Sequence, residues 1–196
     1  MERTGRTVFI TGCSTGIGRA AAALFSERGY QVVATARNPE MLNDLVAKAE
    51  KNGQTLIAVG CNVADEASCV AALMAAHEAF GDIHILINNA GYGLAGPIEG
   101  VPLDKARELF EVNTFGAMRM VQMIVPDMRR AGWGRIVNVS SILGIMAAPF
   151  NGWYSATKFA LEGLTETLRY ELTRFGIETV SILPGPVKTE FVRNVA

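Results

Sequence analysis

Thr11-Gly12-Cys13-Ser14-Thr15-Gly16-Ile17-Gly18 joins a short β-branched run, residues 7–11, to a helical pattern, residues 17–28, that stops at Gly29. Three glycines in this stretch let the backbone turn tightly and approach a ligand closely. The helix that follows offers unpaired N–H groups and the positive end of its dipole. Together these suit a pyrophosphate. Glycines also mark many plain connections. The place of this stretch, after a strand and before a helix, favours a nucleotide site. Its spacing, GxxxGxG, departs from the commoner GxGxxG.

Outward from that turn, β-branched runs keep alternating with longer helical patterns. Residues 31–36 read as the second strand. Asn38 and Pro39 read as the N-cap and first residue of a helix reaching Lys51. Residues 55–60 are the third strand. Asp65 caps a helix that runs to Phe80 and ends at Gly81. Residues 83–88 form a fourth strand whose unbroken apolar character fits burial on both faces. Beyond a Gly/Pro-rich loop, Asp104 is expected to cap one long helix to Arg130, kinked by Pro126. Residues 135–139, 155–175 and 178–183 read as strand, helix and strand, with Gly176 ending the helix. Alternating βα units with short links predict a parallel sheet covered on both faces. Right-handed crossovers make it doubly wound, an α/β Rossmann fold in a single domain, 1–196.

The composition excludes several classes. Of 196 residues, 49% are apolar and 19% charged, the balance of a folded globular chain, with a net charge of −1. That charge makes no case for nucleic acid or an anionic membrane as partner. No apolar run reaches the roughly 18 residues of a membrane span, and the N-terminus has no signal-peptide core. Cys13, Cys61 and Cys69 form no CxxC pair and read as reduced thiols of a cytoplasmic protein. His77 and His84 have no partners at metal-ligand spacing, so no metal is expected.

The chemistry points to Tyr154-Ser155-Ala156-Thr157-Lys158. Residues four apart on a helix share a face, which sets the Tyr154 phenol beside the Lys158 ammonium. A phenol titrates near pH ~10, and a neighbouring cation lowers that value. The pair then suits a general acid/base near neutral pH. The same spacing also occurs on solvated helix faces with no function.

Several motifs in order carry a resemblance: residues 11–18 as TGxxxGxG, Asn88-Asn89-Ala90-Gly91 as NNAG, Asn113, Ser141 thirteen residues before Tyr154, YxxxK at 154–158, and Pro184-Gly185. The chain resembles the short-chain dehydrogenase/reductase family over nearly its whole length, in particular its hydroxysteroid- and retinol-dehydrogenase-like members. The resemblance implies an oxidoreductase that interconverts an alcohol and a ketone or aldehyde by hydride transfer. It implies Tyr154 as acid/base, Lys158 on the nicotinamide ribose, Ser141 on the substrate oxygen, and Asn113 holding a water behind Lys158. Ser140 competes with Ser141, since neighbours on an extended segment point opposite ways, and family spacing selects Ser141. Asn113 also has a plain reading, as an asparagine bonding nearby backbone. The implied nucleotide contacts are Gly12, Ser14, Thr15, Gly16, Ile17 and Gly18 in the first turn. Asn62 and Val63 follow the third strand, and Asn89, Ala90 and Gly91 follow the fourth. Pro184, Gly185, Val187 and Thr189 complete the set. The family places Asp where Asn62 stands, and an asparagine oxygen can still accept the adenine bond. Non-redox relatives on this scaffold, an epimerase or dehydratase, and a nucleotide-sensing scaffold are rival readings.

The second strand ends at Ala36-Arg37, where such folds often carry an acid for the ribose 2′-OH. Here a guanidinium is available for a 2′-phosphate, which favours NADP(H) over NAD(H). The surface-charge reading of Arg37 stays open. Apolar residues between Ser141 and Tyr154 either wall a cleft for an apolar alcohol or ketone or pack beneath their loop. The resemblance also implies a homodimer or homotetramer. It further implies a C-terminal substrate segment and last strand beyond residue 196, without which the sixth strand is an apolar edge.

Overall fold

The computed structural model describes residues 5–187. Its strands are β1 Thr7–Ile10, β2 Gln31–Ala36, β3 Leu56–Gly60, β4 Ile85–Asn88, β5 Gly134–Val139 and β6 Ile177–Ile182. They form one parallel sheet in the order β3-β2-β1-β4-β5-β6. The chain therefore winds outward in both directions from the β1/β4 pair. In such a sheet the crevice opens at the carboxyl ends of the strands where the order reverses.

Side chains alternate between faces along β1. Val8 and Ile10 pack with Ala22 of helix α1 (Gly16–Glu27) and with Leu45 and Ala49 of α2 (Asn43–Lys51). Phe9 packs on the other face with Ala72 and Ala76 of α3 (Glu66–Phe80) and Met120 and Ile124 of α5 (Ala117–Ala131). This two-sided burial explains the continuous apolar character of the strands. The doubly wound α/β class is as the sequence predicts. Among the described residues β6 lies at the sheet edge, where Val180 and Ile182 are exposed.

Boundaries differ for local reasons. Asn38 does cap, accepting from Glu40 N at 3.0 Å, but Pro39–Leu42 is a 3-10 turn and α2 begins only at Asn43. Asp104 is not a cap. Helix α4 spans Leu103–Phe110 with Pro102 at its N-cap, and Asp104 pairs with Arg107 on the surface. The expected single helix through Arg130 is interrupted at Glu111–Gly116 by a π-helical turn, after which α5 continues through Pro126. Helix α6 starts early, at Gly152, and runs to Leu172. A 3-10 turn, Thr173–Phe175, follows before Gly176 takes a left-handed conformation.

Ile83 and His84 precede β4 instead of belonging to it. The Ile83 N–H donates to the Asp127 carboxylate at 3.1 Å, outside the strand ladder. Asp127 is buried and also takes His77 Nε2 at 2.6 Å and Arg130 at 2.6 Å. This network closes the amino end of the sheet, away from the crevice. Asp127→Ala leaves the buried Ile83 N–H unpaired and takes one partner from His77 and one from Arg130, which keeps Asp82 at 2.7 Å. We expect a loss of about 2–3 kcal/mol in urea unfolding. A loss below about 0.5 kcal/mol would mean that water replaces the carboxylate at no cost.

Candidate active site

At the carboxyl ends of β1 and β4 an open cleft of about 1410 Å³ runs from the Gly-rich turn to the start of α6. The turn is stitched to the end of β4. Thr11 N donates to Ile87 O, and Thr11 Oγ1 accepts from Asn89 N and Ala90 N, all at 3.0 Å. The Asn89 amide donates back to Thr11 O at 3.0 Å and Gly12 O at 2.9 Å. This packing explains two of the three glycines. A Cβ on Gly18 would lie 2.3 Å from Asn89 Nδ2, and one on Gly12 would lie 2.7 Å from Ala90 Cα. The sequence suggested close approach to a ligand, yet here the close approach is to the protein itself. Gly16 has φ +61° at the first residue of α1. Thr15 caps α1 in extended geometry without a side-chain bond, and no acid occupies the first turn, so the helix end presents bare N–H groups to the cleft.

Along the adenosine side, Arg37 is exposed at the cleft wall and Ala36 is buried beside it. Asn62 also lines the cleft. Its Oδ1 accepts from Ala64 N at 3.2 Å in a local turn, so the oxygen proposed for adenine already has one partner. Val63 is buried against Gly116, and its carbonyl accepts from Arg119, which also pairs with Glu111.

The π turn places Asn113 beneath the site. Its amide donates to Tyr92 O at 2.9 Å and Thr157 Oγ1 at 3.2 Å, and its Oδ1 accepts from Tyr92 N at 3.0 Å. Asn113 is 1% exposed and does not line the cleft. It clamps the loop after β4 to α6. Gly91 lies between, since a Cβ there would stand 3.0 Å from Asn113 Oδ1 and 3.8 Å from Lys158 Nζ.

Ser141, Tyr154 and Lys158 converge on the cleft floor. Ser141 lies after β5 and accepts from Leu143 N at 3.1 Å, which orients its hydroxyl. Tyr154 and Ser141 are hydrogen-bonded. Lys158 Nζ donates to Val139 O at 2.9 Å and lies 5.8 Å from the Tyr154 ring centre. The expected lowering of the phenol is not what this arrangement does. Burial raises the Tyr154 pKa, and the Ser141 bond offsets that only in part. Burial also pushes the Lys158 ammonium down to about 8, against the field of Glu162. Ser140 donates its N–H to Ile182 O, and its buried hydroxyl has no partner among the described residues.

Most expected contacts thus line one cleft: Ser14, Ile17, Ala90, Pro184, Gly185 and Val187 join those above. Gly18 and Asn113 support it from behind. Thr189 lies outside the described residues. The sequence reading missed Tyr92, Leu94 and the α4 side chains Lys105 and Glu108, which also line it. Tyr92 follows NNAG directly, a position that hinted at it, whereas α4 carried no distinguishing pattern.

A profile of the short chain dehydrogenase family matches residues 6–196. The chain belongs to this family. Human retinol dehydrogenase 8 is 42% identical over 195 residues, covering 97% of this chain and 62% of that protein. Human 17-beta-hydroxysteroid dehydrogenase type 1 is 39% identical over 201 residues, covering 100% of this chain and 60% of that protein. The chain spans about three fifths of the length of these curated relatives. A short-chain dehydrogenase/reductase from Burkholderia phymatum, solved with NAD, superposes with a TM-score of 0.93 at 31% identity. That match covers 99% of this chain and 70% of the other. Among the described residues no helix is long and apolar enough to cross a membrane.

The buried lysine of this chain carries a stability cost with a definite sign. The folded state disfavours the charged form, so the penalty is full below pH 8 and fades between about 8 and 10.5. Lys158→Met should therefore stabilise the protein at pH 7 by about 2 kcal/mol. That is the roughly 3 kcal/mol of the pKa shift less a lost hydrogen bond. The advantage should vanish by about pH 10.5, read as the difference in urea midpoints across pH. A destabilised Lys158→Met at pH 7 would contradict this.

Proposed function

We propose that the chain forms the nucleotide-binding and catalytic part of an NADP(H)-dependent reductase or dehydrogenase acting on an apolar alcohol or ketone. The observation that carries this reading is the Ser141–Tyr154 hydrogen bond beside buried Lys158, on the floor of a cleft that reaches the stitched glycine turn. The residues fit a nicotinamide dinucleotide: bare helix N–H groups suit its pyrophosphate, and the Lys158 ammonium suits ribose hydroxyls. When bound, that cofactor supplies the hydride.

In the reductive direction Tyr154 gives its phenolic proton to the carbonyl oxygen, and Ser141 holds that oxygen by its hydroxyl. The raised pKa keeps the phenol protonated and ready to donate. The Lys158 charge stabilises the phenolate left behind. Asn113 acts as the strut under this pair and fixes the loop at Tyr92. Leu94, Leu143 and Met146 give the substrate end of the cleft an apolar wall. This agrees with relatives named for retinol and a hydroxysteroid. An NADPH-consumption screen over ketones and aldehydes separates this reading from an epimerase or dehydratase, which shows no net consumption.

Tyr154→Phe should abolish turnover, a loss of at least about a hundredfold, while NADPH binding stays within a few-fold. Near-normal activity in a folded mutant would remove Tyr154 from the mechanism.

Cofactor preference rests on Arg37. A guanidinium–phosphate bond contributes about 1.5–3 kcal/mol, or roughly ten- to hundredfold in affinity. Ala36→Asp with Arg37→Leu should reverse the preference, because aspartate accepts from a free 2′-OH and repels a 2′-phosphate. The measure is kcat/KM for NADPH and NADH in both proteins at fixed low salt. A wild type that prefers NADH, as the nucleotide of the Burkholderia phymatum complex would suggest, refutes the role of Arg37.

A further inference from the structure

Glu162 sits one helical turn beyond Lys158, as Lys158 sits one turn beyond Tyr154. Its Oε1 is shielded from solvent and has no hydrogen-bond partner among the described residues. A dry, unpaired carboxylate oxygen is costly, and folds keep few of them. The room for it comes from Gly144, in the short turn Ile142–Gly144. A Cβ on Gly144 would stand 3.2 Å from Glu162 Cγ and 2.8 Å from Ser140 Oγ. The Ser140 hydroxyl is likewise buried and unpartnered.

Lys158 has the complementary problem. It is 5% exposed, and among the described residues its ammonium has a single neutral acceptor in Val139 O. One neutral acceptor does not offset burial of a full charge. The groups that face it from other elements are also neutral. Asn113 comes from the π turn, Gly91 from the loop after β4, and Ser140 and Ser141 from the segment after β5. On its own helix, the Tyr154 phenol is the other titratable neighbour. Glu162 is the carboxylate whose field reaches the ammonium.

We propose that Glu162 is a positioning residue: its carboxylate, with one oxygen shielded and unpartnered among the described residues, holds Lys158 in the ammonium form through space and leaves the Nζ–H bonds not given to Val139 O free to point at the cleft. A direct ion pair would turn the ammonium away from phenol and ribose. A carboxylate one turn off favours the charge without claiming its donors. The functional meaning rests on the reading of Lys158 above, but the electrostatic claim has its own test.

Protein labelled with ε-13C lysine is titrated, and the Lys158 signal is assigned by its loss in Lys158→Met. The wild-type midpoint lies at about 8. In Glu162→Gln, which keeps the shape, it falls by about one pH unit or more. Glu162→Asp, which keeps the charge, recovers most of that fall. An unchanged midpoint in Glu162→Gln overturns the proposal. Equal falls in Gln and Asp also overturn it, because packing and not charge would then be the cause. NADPH affinity gives the second readout. Glu162→Gln should match wild type near pH ~6.5 and bind up to about tenfold more weakly near pH ~8.5. If the lysine midpoint falls while nucleotide affinity keeps its wild-type pH dependence, Glu162 controls Lys158 as proposed. The nucleotide role of Lys158 is then what fails.

Discussion

Asn89 uses both amide hydrogens on the carbonyls of Thr11 and Gly12, while Thr11 Oγ1 accepts from two N–H groups of the β4 end. This reciprocal bonding ties the first crossover to the fourth strand at the one place where the sheet order reverses. Strand ends at a switch point diverge, and their backbone groups leave the ladder unpaired. Here each finds a partner across the gap. The start of α1 is thereby fixed, and with it the direction of its free N–H groups. The crevice is preformed because its two lips are one hydrogen-bonded unit.

A second constraint opposes stability. A charged side chain is buried behind that crevice with one carbonyl for company. The phenol beside it is also pushed towards its neutral form. Two groups destabilised in their charged states, side by side in a cleft, mark a functional site more than a stabilising one. The amide groups beneath them donate elsewhere, although Asn88 Oδ1 has no partner among the described residues. Asn88 reaches Ala117 O and Asn138, and Asn138 reaches Thr165. The scaffold is thus stiff where it carries the site and electrostatically tense where it reacts.

The sheet and its alternation with helices were legible in the sequence, because β-branched runs and glycine stops are local signals, whereas most residues now seen to line the cleft came from the family resemblance. What escaped was long-range. The bond from Ile83 N to Asp127 takes Ile83 out of a strand that looks continuous in sequence, while His84 still bonds Thr7 O. Asn113 bonds the Tyr92 backbone, the plain reading that the sequence left open for it. Nothing local showed that the helix widens there to let Asn113 grasp Tyr92. The direction of the Tyr154 shift was also hidden. Spacing reveals that a cation is near, but only packing reveals how dry the phenol is.

The π turn at Glu111–Gly116 has a further consequence for how this chain tolerates insertions and deletions. Such a turn holds one residue more than regular α-helix would need between α4 and α5. Deleting a residue there would restore unbroken helical bonding, so the local backbone would gain. It would also rotate α4 by about 100° relative to α5. Glu108 and Lys105 would swing off the cleft wall, and Asn113 would lose Tyr92. A change of length in this segment therefore breaks the register of the site, although the backbone itself would favour the shorter form.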